Sequence, residues 1–438
     1  MQHIFHSVQM LYPLALNRVI FHFHNAQYCF CYLGKLNIFC FELVKSRIIC
    51  YYNSMEKHKM IILGGGASGC MCALSTECKD VCIIDRQNKI GKKILVTGNG
   101  RCNITNRNCS DDKYNTSIEK YLERFSSFDT LRFFSNLGLE SFFDSEGRAY
   151  PLSNSAKSVV NVIENALTKK HVCIRHEEEI EGLSKQGQLY IVRTNQNEYV
   201  CEKLVIATGG SGGEVMLNSL GVSFLPYIPS LCSLKADVAR GIANVRVSDV
   251  KVTAFSSHGV KKSEVGEVLF RENGLSGIVI FNLSCIFARE RLFHGEIVID
   301  LLPNVSEKYL FEKLAFRRKL GLPVNKFFDG IFVRELGWEI LRRCKINENR
   351  TSEQLADTEI SSLAKTIKHL DFAVKGYGEN NQVCSGGVKL AELDENLQHK
   401  QMKNLYFCGE ICDVDGECGG YNLQWAWTSG YIVGSAIS

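Results

Sequence analysis

Residues 59–85, KMIILGGGASGCMCALSTECKDVCIID, constrain this chain more than any other stretch. An apolar run of strand length leads into three glycines spaced G-x-G-x-x-G, namely Gly64, Gly66 and Gly69. CMCALSTE then reads as the opening of a helix packed on a sheet, and DVCIID as a second strand ending at Asp85. Strand, turn, helix and strand together occupy about 30 residues, the size of a parallel crossover unit. Each glycine in such a unit has its own task. Gly64 permits the tight turn, Gly66 lets backbone approach a pyrophosphate, and Gly69 lets helix and strand pack closely. The helix N-terminus adds unpaired N–H groups and a partial positive charge. Three glycines alone would serve a plain βα turn equally well. With strand, helix and an acid about 20 residues on all in place, the pattern points to a dinucleotide whose ribose hydroxyls Asp85 accepts. The acid favours a free 2′-hydroxyl, hence FAD or NAD rather than NADP.

Further along, SAKSVVNVIENALTKK (155–170) carries Val159, Val162, Ile163, Ala166 and Leu167 at helical spacing, and HVCI follows as a strand. Residues 177–202 alternate short polar and apolar pieces, the pattern of a small antiparallel meander, and run into KLVIATGG, a buried strand ending in glycines. From about 226 to 303 the chain reads as β, with FSSHGV, EVLFRENGLSG and EIVIDLLP separated by turn residues. From Val305 to about His369 it reads as helical, after which DFAVKGYG is a strand returning and KNLYFCGE a further buried strand before a last helix. The two ends of the chain thus share a parallel α/β style that the middle lacks. No second strand–G-x-G-x-x-G–helix unit is present, so a dedicated nicotinamide-binding domain is not expected; GGSGG at 209–213 reads as the tail of a strand.

Composition narrows the function classes. With 45% hydrophobic and 22% charged residues the 438-residue chain is ordinary globular material, large enough for two or three domains. Its net charge of +4 implies no basic face for nucleic acid. The 19 cysteines are scattered irregularly in a chain too large to need disulfide staples, which suits a reducing cytoplasm. The pairs Cys29/Cys31 and Cys70/Cys72 are C-x-C, with no second pair at zinc-ribbon distance, so no metal is expected. Residues 1–54 are rich in aromatics, cysteine and histidine, yet have neither the order of a signal peptide nor a span of about 20 apolar residues. They read as a stretch upstream of a true start at Met55, non-native or disordered, and no membrane partner is expected.

CGEICDVDGECGGYNLQ (408–424) crowds three cysteines, four acids and four glycines together. Cys412 and Cys418 lack metal-ligand spacing and histidine partners, so the stretch reads as a cradle rather than a metal site or disulfide knot. Taken with GGGASG, GKKILVTGNGRCNITN (91–106), VIATGG and NLYFCGEICDVDGECGGYNLQWAWTSG, it resembles the BaiN-type (YhiN-like) family of FAD-dependent oxidoreductases, relatives of the glutathione-reductase-like flavoproteins, from Met60 to the C-terminus. The segment after VIATGG is shorter than in many members of that family.

The resemblance implies an α/β fold in which a Rossmann-type FAD-binding domain, a parallel sheet with an antiparallel meander, is interrupted by an inserted β-rich domain and a helical domain. The boundaries read are 55–225 with 380–438 for FAD, 226–304 with 369–379 for the β-rich piece, and 305–368 for the helical piece. It implies cofactor contacts from Gly64, Gly66, Ala67, Ser68 and Gly69; from Asp85, Arg86 and Lys93; from Gly98, Gly100, Arg101, Cys102, Asn103 and Asn106 near the isoalloxazine; and from Ala207, Thr208, Gly209 and Gly210. At the far end it implies Gly409, Glu410 and Asp413 near the ribityl and pyrophosphate groups, with Gly419, Gly420, Tyr421, Asn422, Leu423 and Gln424 opening a helix beneath the flavin pyrimidine. The implied activity is hydride transfer between NADH or NADPH, docking transiently, and a small organic acceptor, with reduction of an activated C=C bond in a steroid-like enone as the finer guess. The alternatives are a non-catalytic flavin-binding protein and a partner in tRNA modification. No catalytic residue is fixed. Arg101, Cys102, Tyr421 and Tyr377 are the candidates, and Cys102 reads either as a redox thiol or as a structural one.

Overall fold

The computed structural model describes residues 55–438, apart from 211, 260, 292, 293, 380 and 438. The reading of residues 1–54 lies outside the described residues. Met1–Glu56 and Lys57–Ser438 are separate units, and the second carries the fold and the site.

Strand Glu56–Leu63 alternates in exposure over its first half and then buries Met60–Leu63 entirely, while Val81–Ile84 is buried throughout. Such continuous apolar runs belong to strands covered on both faces. They pair in parallel, and Cys173–Arg175 adds a third parallel strand outside Val81–Ile84. On the other side lies Glu198–Ile206, whose last residues pair in parallel with Leu405–Phe407. The same sheet continues through the antiparallel strands Leu189–Thr194 and Ile180–Gln186, the expected meander.

Two helices cover the part of this sheet that bears the glycine turn. Ala67–Ser75 follows the turn, and the C-terminal helix Tyr421–Ala436 crosses it at backbone contact. A Cβ on Gly430 would lie 2.4 Å from the carbonyl oxygen of Ser68, and one on Gly434 2.5 Å from that of Cys72. The amphipathic helix Ala156–Lys169 buries Val159, Val160, Ile163 and Leu167 against the same core, as its periodicity predicts.

The middle of the chain builds a closed antiparallel barrel in the order Leu234–Ala236, Gly274–Ser276, Lys261–Arg271, Arg246–Ser256, Gly295–Asp300 and Leu370–Tyr377. The returning strand Leu370–Tyr377 closes it, pairing with Gly295–Asp300 on one side and Leu234–Ala236 on the other. One stretch departs from the sequence reading. Ile278–Arg289 is a helix inside the region read as β. IVIFNLSCIFAR is apolar nearly all round and buried over most of its length, so it carries no periodic signal to separate helix from strand. Helices Glu307–Arg318, Arg334–Arg343 and Asp357–Lys368 lie between the last two barrel strands, and Leu310, Leu314, Leu336, Ile340, Leu363 and Ile367 join the barrel's own core.

Candidate cofactor and substrate site

At the glycine turn the three residues differ as their spacing demands. Gly64 has φ +107°, and a Cβ there would sit 2.5 Å from the carbonyl oxygen of Ala207. A Cβ on Gly69 would fall 2.0 Å from the carbonyl oxygen of Gly64. Only glycine allows either approach. Gly66 is the exception, because a Cβ there meets no protein atom within 4 Å. It precedes a helix start with no capping side chain and no acid in its first turn, so amide donors face open space. Asp85 holds this turn: Oδ2 accepts from the amide of Gly65 at 2.6 Å and Oδ1 from that of Gln87 at 2.7 Å. The acid therefore braces the loop first, and its remaining lone pairs are what a ribose could use. Arg86 lies beside Gly212, 3.4 Å from where a Cβ would stand.

The C-terminal block folds directly onto this turn. Ser68 Oγ donates to the carbonyl of Cys408 at 3.2 Å, and a Cβ on Gly409 would strike that same Oγ at 2.4 Å. The amide of Gly409 donates to Ser429 Oγ at 2.8 Å, and its carbonyl accepts from Trp425 Nε1 at 3.1 Å. Glu410 ties three segments together. Its Oε2 pairs with Lys93 Nζ at 2.7 Å, and its Oε1 accepts from the amide of Cys384 at 2.7 Å. Gly210 lies under that carboxylate, with room for no side chain. Beside it, the amide of Ala207 donates to the carbonyl of Leu63 at 2.8 Å, and Gly209 takes φ +78°.

Residues 98–106 approach from the other side. Gly98, Asn99, Gly100 and Cys102 all have positive φ, a run of left-handed backbone that explains the local density of glycine and asparagine. Asn106 Nδ2 donates to the carbonyl of Gly419 at 3.0 Å, and a Cβ on Gly420 would lie 2.8 Å from Asn103 Oδ1. The C-terminal helix then begins at Tyr421 with no capping side chain. Asn103 Oδ1 and Thr208 Oγ1 are buried without a hydrogen-bond partner among the described residues. Orphaned buried polar atoms and two uncapped helix starts are what a bound polar molecule would satisfy.

Several candidates resolve differently from the sequence reading. Cys102 is fully buried, and burial pushes its thiol up to about 12 against a hydrogen bond from Thr97 that lowers it. A thiol buried in this way favours the structural reading of Cys102 over the redox one. Gln424 is also interior: its Oε1 accepts from Thr105 at 2.6 Å and Thr130 at 3.0 Å, and its Nε2 donates to Thr428 at 2.9 Å. Asn422 is spent on its own turn, bridging the amide and carbonyl of Gly416 at 2.9 and 2.8 Å. Leu423 packs on the main core. Tyr377 lies in the barrel strand paired with Leu234. Arg101 is exposed, its guanidinium 4.2 Å above the Tyr150 ring. Burial pushes the Tyr421 hydroxyl up to about 12, so its proton stays in place at neutral pH.

Sequence reasoning missed the residues that bind the barrel to this cradle. Lys262 Nζ, from a barrel strand, pairs with Glu417 at 2.7 Å, and Lys113 with the same carboxylate at 3.4 Å. Asn282 receives the amide of Cys418 at 2.8 Å and donates to Glu264 at 2.9 Å. Arg289 reaches the wholly buried Asp415, Nη2 to Oδ2, at 3.3 Å. Burial holds the carboxyls of Asp413 and Asp415 above their usual range. The partners in these pairs come from separate elements, so no local pattern announces them.

The family described as HI0933-like protein Rossmann domain matches residues 58–436. The 3-dehydro-bile acid delta(4,6)-reductase of Clostridium scindens is 32% identical over 408 residues, covering 86% of this chain and 98% of that one. The ribosomal RNA dihydrouridine synthases of Escherichia coli and Haemophilus influenzae are 28% and 26% identical, each over 86% of this chain and 97% or more of their own. A match over nearly all of the described chain, together with a relative of this identity and coverage, places the protein in the HI0933-like family, with a Rossmann domain at its core.

Proposed function

We propose that the protein is an FAD-dependent oxidoreductase that reduces a C=C bond conjugated to a carbonyl in a small organic acceptor, drawing its hydride from NADH or NADPH. The observation that carries this reading is the convergence of the glycine turn, residues 98–106 and residues 408–421 on one cradle with orphaned buried polar atoms. The family relationship supports it, and so does the 32% identity to a 3-dehydro-bile acid delta(4,6)-reductase.

The residues present suit FAD. Gly66, Ala67 and Ser68 would meet the pyrophosphate, Asp85 the adenosine ribose, Thr208 and Asn103 the polar groups farther along, and the start of the C-terminal helix the flavin ring. When bound, FAD supplies the hydride chemistry itself. The protein's part is electrostatic and spatial. The amide groups at the start of Tyr421–Ala436 favour negative charge placed there, through the helix dipole. Arg101, stacked on Tyr150, offers a guanidinium whose N–H donors suit a carbonyl oxygen. Tyr421 stands at this helix start, and its Oη retains its proton across the neutral range as a phenolic donor. Trp425 and Trp427 are both buried, and their indole N–H groups donate to the carbonyls of Gly409 and Ile104 at 3.1 and 3.0 Å, which braces the two sides of the cradle.

A second reading rests on the two relatives named for dihydrouridine. Uracil's C5=C6 bond is itself conjugated to a carbonyl, so the chemistry would be shared and only the carrier would differ. The small-molecule reading is preferred because the bile-acid relative is the more similar and the net charge is only +4. No helix among the described residues is long and apolar enough to cross a membrane. None of the described cysteines is in a disulfide, which suits a reducing compartment. The test is anaerobic: the FAD-loaded protein is bleached with NADH or NADPH, then offered a steroid dienone or a uridine-containing RNA. Reoxidation by the dienone alone supports the proposal. Reoxidation by RNA alone replaces it with the second reading, and bleaching by neither nicotinamide removes the reductant assignment.

A further inference from the structure

We propose that His58, Cys82 and Cys173 form a zinc site at the amino-terminal ends of three adjacent strands. The glycine turn lies at the carboxyl ends of the same parallel sheet, so this site stands apart from the cofactor cradle. One ring nitrogen of His58 and the two sulfurs all lie within 4.8 Å of one another. Cys82 and Cys173 are register partners on neighbouring parallel strands, and neither is in a disulfide. A tetrahedral zinc ion with Zn–S of about 2.3 Å and Zn–N of about 2.0 Å needs ligand-to-ligand edges of roughly 3.5 to 3.8 Å, so the donors have to close by at most about 1 Å.

Cysteine alone would be ordinary here, because buried thiols often serve as small hydrophobes. The histidine is what changes the reading. Its Nδ1 is hydrogen-bonded at 2.8 Å to Asp80 Oδ1, and the other oxygen of Asp80 accepts from the amide of Lys59 at 2.8 Å, which fixes the carboxylate. With the proton held at Nδ1, the lone pair sits on Nε2. That is the carboxylate–histidine arrangement that orients imidazole toward zinc. Beyond the site the strands turn apolar over Met60–Leu63, Val81, Ile83 and Ile84, while Glu56, Lys57, Lys59 and Arg175 are the charged residues on them.

Charge balance favours a divalent ion. As the cation binds, each thiol loses one proton to solvent, and two thiolates with Zn2+ make a neutral unit that suits a buried wall. The fourth position is open to water or a small thiol. Remote from the cradle, the ion acts by clamping three strands, so its loss lowers stability before it touches chemistry.

The test uses the full chain purified in reducing buffer, loaded with zinc alone, dialysed, and analysed for metal by mass spectrometry, with cobalt(II) as a spectroscopic replacement. The expected result is one zinc per chain, thiolate-to-cobalt charge-transfer absorption, and loss of both in His58→Gln and Cys173→Ser but not in Cys109→Ser. His58→Gln alters a partly exposed side chain, so it tests ligation with little risk to the core, and circular dichroism with FAD content verifies its fold. Wild-type protein without stoichiometric zinc overturns the proposal, as does equal zinc in all variants or a Cys82–Cys173 disulfide that persists in reducing buffer.

Discussion

Gly66→Ala separates a cofactor contact from a folding requirement. At Gly66 φ is −79° and ψ −168°, ordinary extended backbone open to alanine, and the added Cβ meets no protein atom within 4 Å. The apo protein should therefore lose only the small difference between glycine and alanine at a helix N-cap, under about 1 kcal/mol. A ligand placed against that backbone meets the methyl directly. Displacing a pyrophosphate from its amide donors forfeits charge-assisted hydrogen bonds worth about 1.5–3 kcal/mol each. Losing one weakens binding by roughly 10- to 150-fold. Gly69→Ala is the contrast, since its Cβ would fall 2.0 Å from a backbone oxygen and must push helix from turn. That overpacking costs about 1–3 kcal/mol of stability with or without FAD. The assay pairs thermal unfolding of apo protein with FAD titration followed by quenching of flavin fluorescence. An apo midpoint near wild type with much weaker FAD binding is expected for Gly66→Ala. Wild-type affinity in that variant would refute the argument that Gly66 faces the cofactor.

Cys102→Ser should retain turnover within about twofold, with an unchanged pH profile between about pH 6 and 9, because a thiol held up to about 12 stays protonated there. A large loss confined to turnover, with FAD content intact, would restore the redox reading. In the helical segment, Glu339 is buried and hydrogen-bonded to Arg342 and Arg343 at 2.7 and 2.9 Å, and those hydrogen bonds and charges hold its carboxyl below the usual range against the opposing desolvation. Its folded pKa is depressed, so its stabilisation is present above the unfolded value and lost as pH falls through the folded one. Glu339→Gln should cost about 1.5–3 kcal/mol at neutral pH and flatten the acid limb of a stability curve recorded by denaturant unfolding from about pH 7 to 3.

What could be read from the sequence was whatever is written in adjacent residues. MIIL, GGGASG and VCIID fold locally, and the close approaches at Gly64 and Gly69 are those their spacing requires. The left-handed backbone at Gly98, Asn99 and Gly100 accounts for the glycines and asparagine there. The helix Ile278–Arg289 escaped because a segment buried all round has no polar face to set a period. The family resemblance implied Gln424 as a cofactor contact, yet its amide serves Thr105, Thr130 and Thr428. Pairs such as Lys262 with Glu417, or Arg289 with Asp415, join elements more than a hundred residues apart. His58, Cys82 and Cys173 likewise come from three separate strands, and their spacing has no motif although the sheet places their donors together. Non-local chemistry of this kind becomes visible only once strand order is known.

The most direct test of the central claim is a crystal structure of the protein with FAD. The expected result is one FAD per chain, its pyrophosphate at Gly66 and its flavin ring at the start of helix Tyr421–Ala436, between residues 98–106 and Gly420. A flavin bound elsewhere, or a cradle that stays without FAD at saturating concentration, would contradict it.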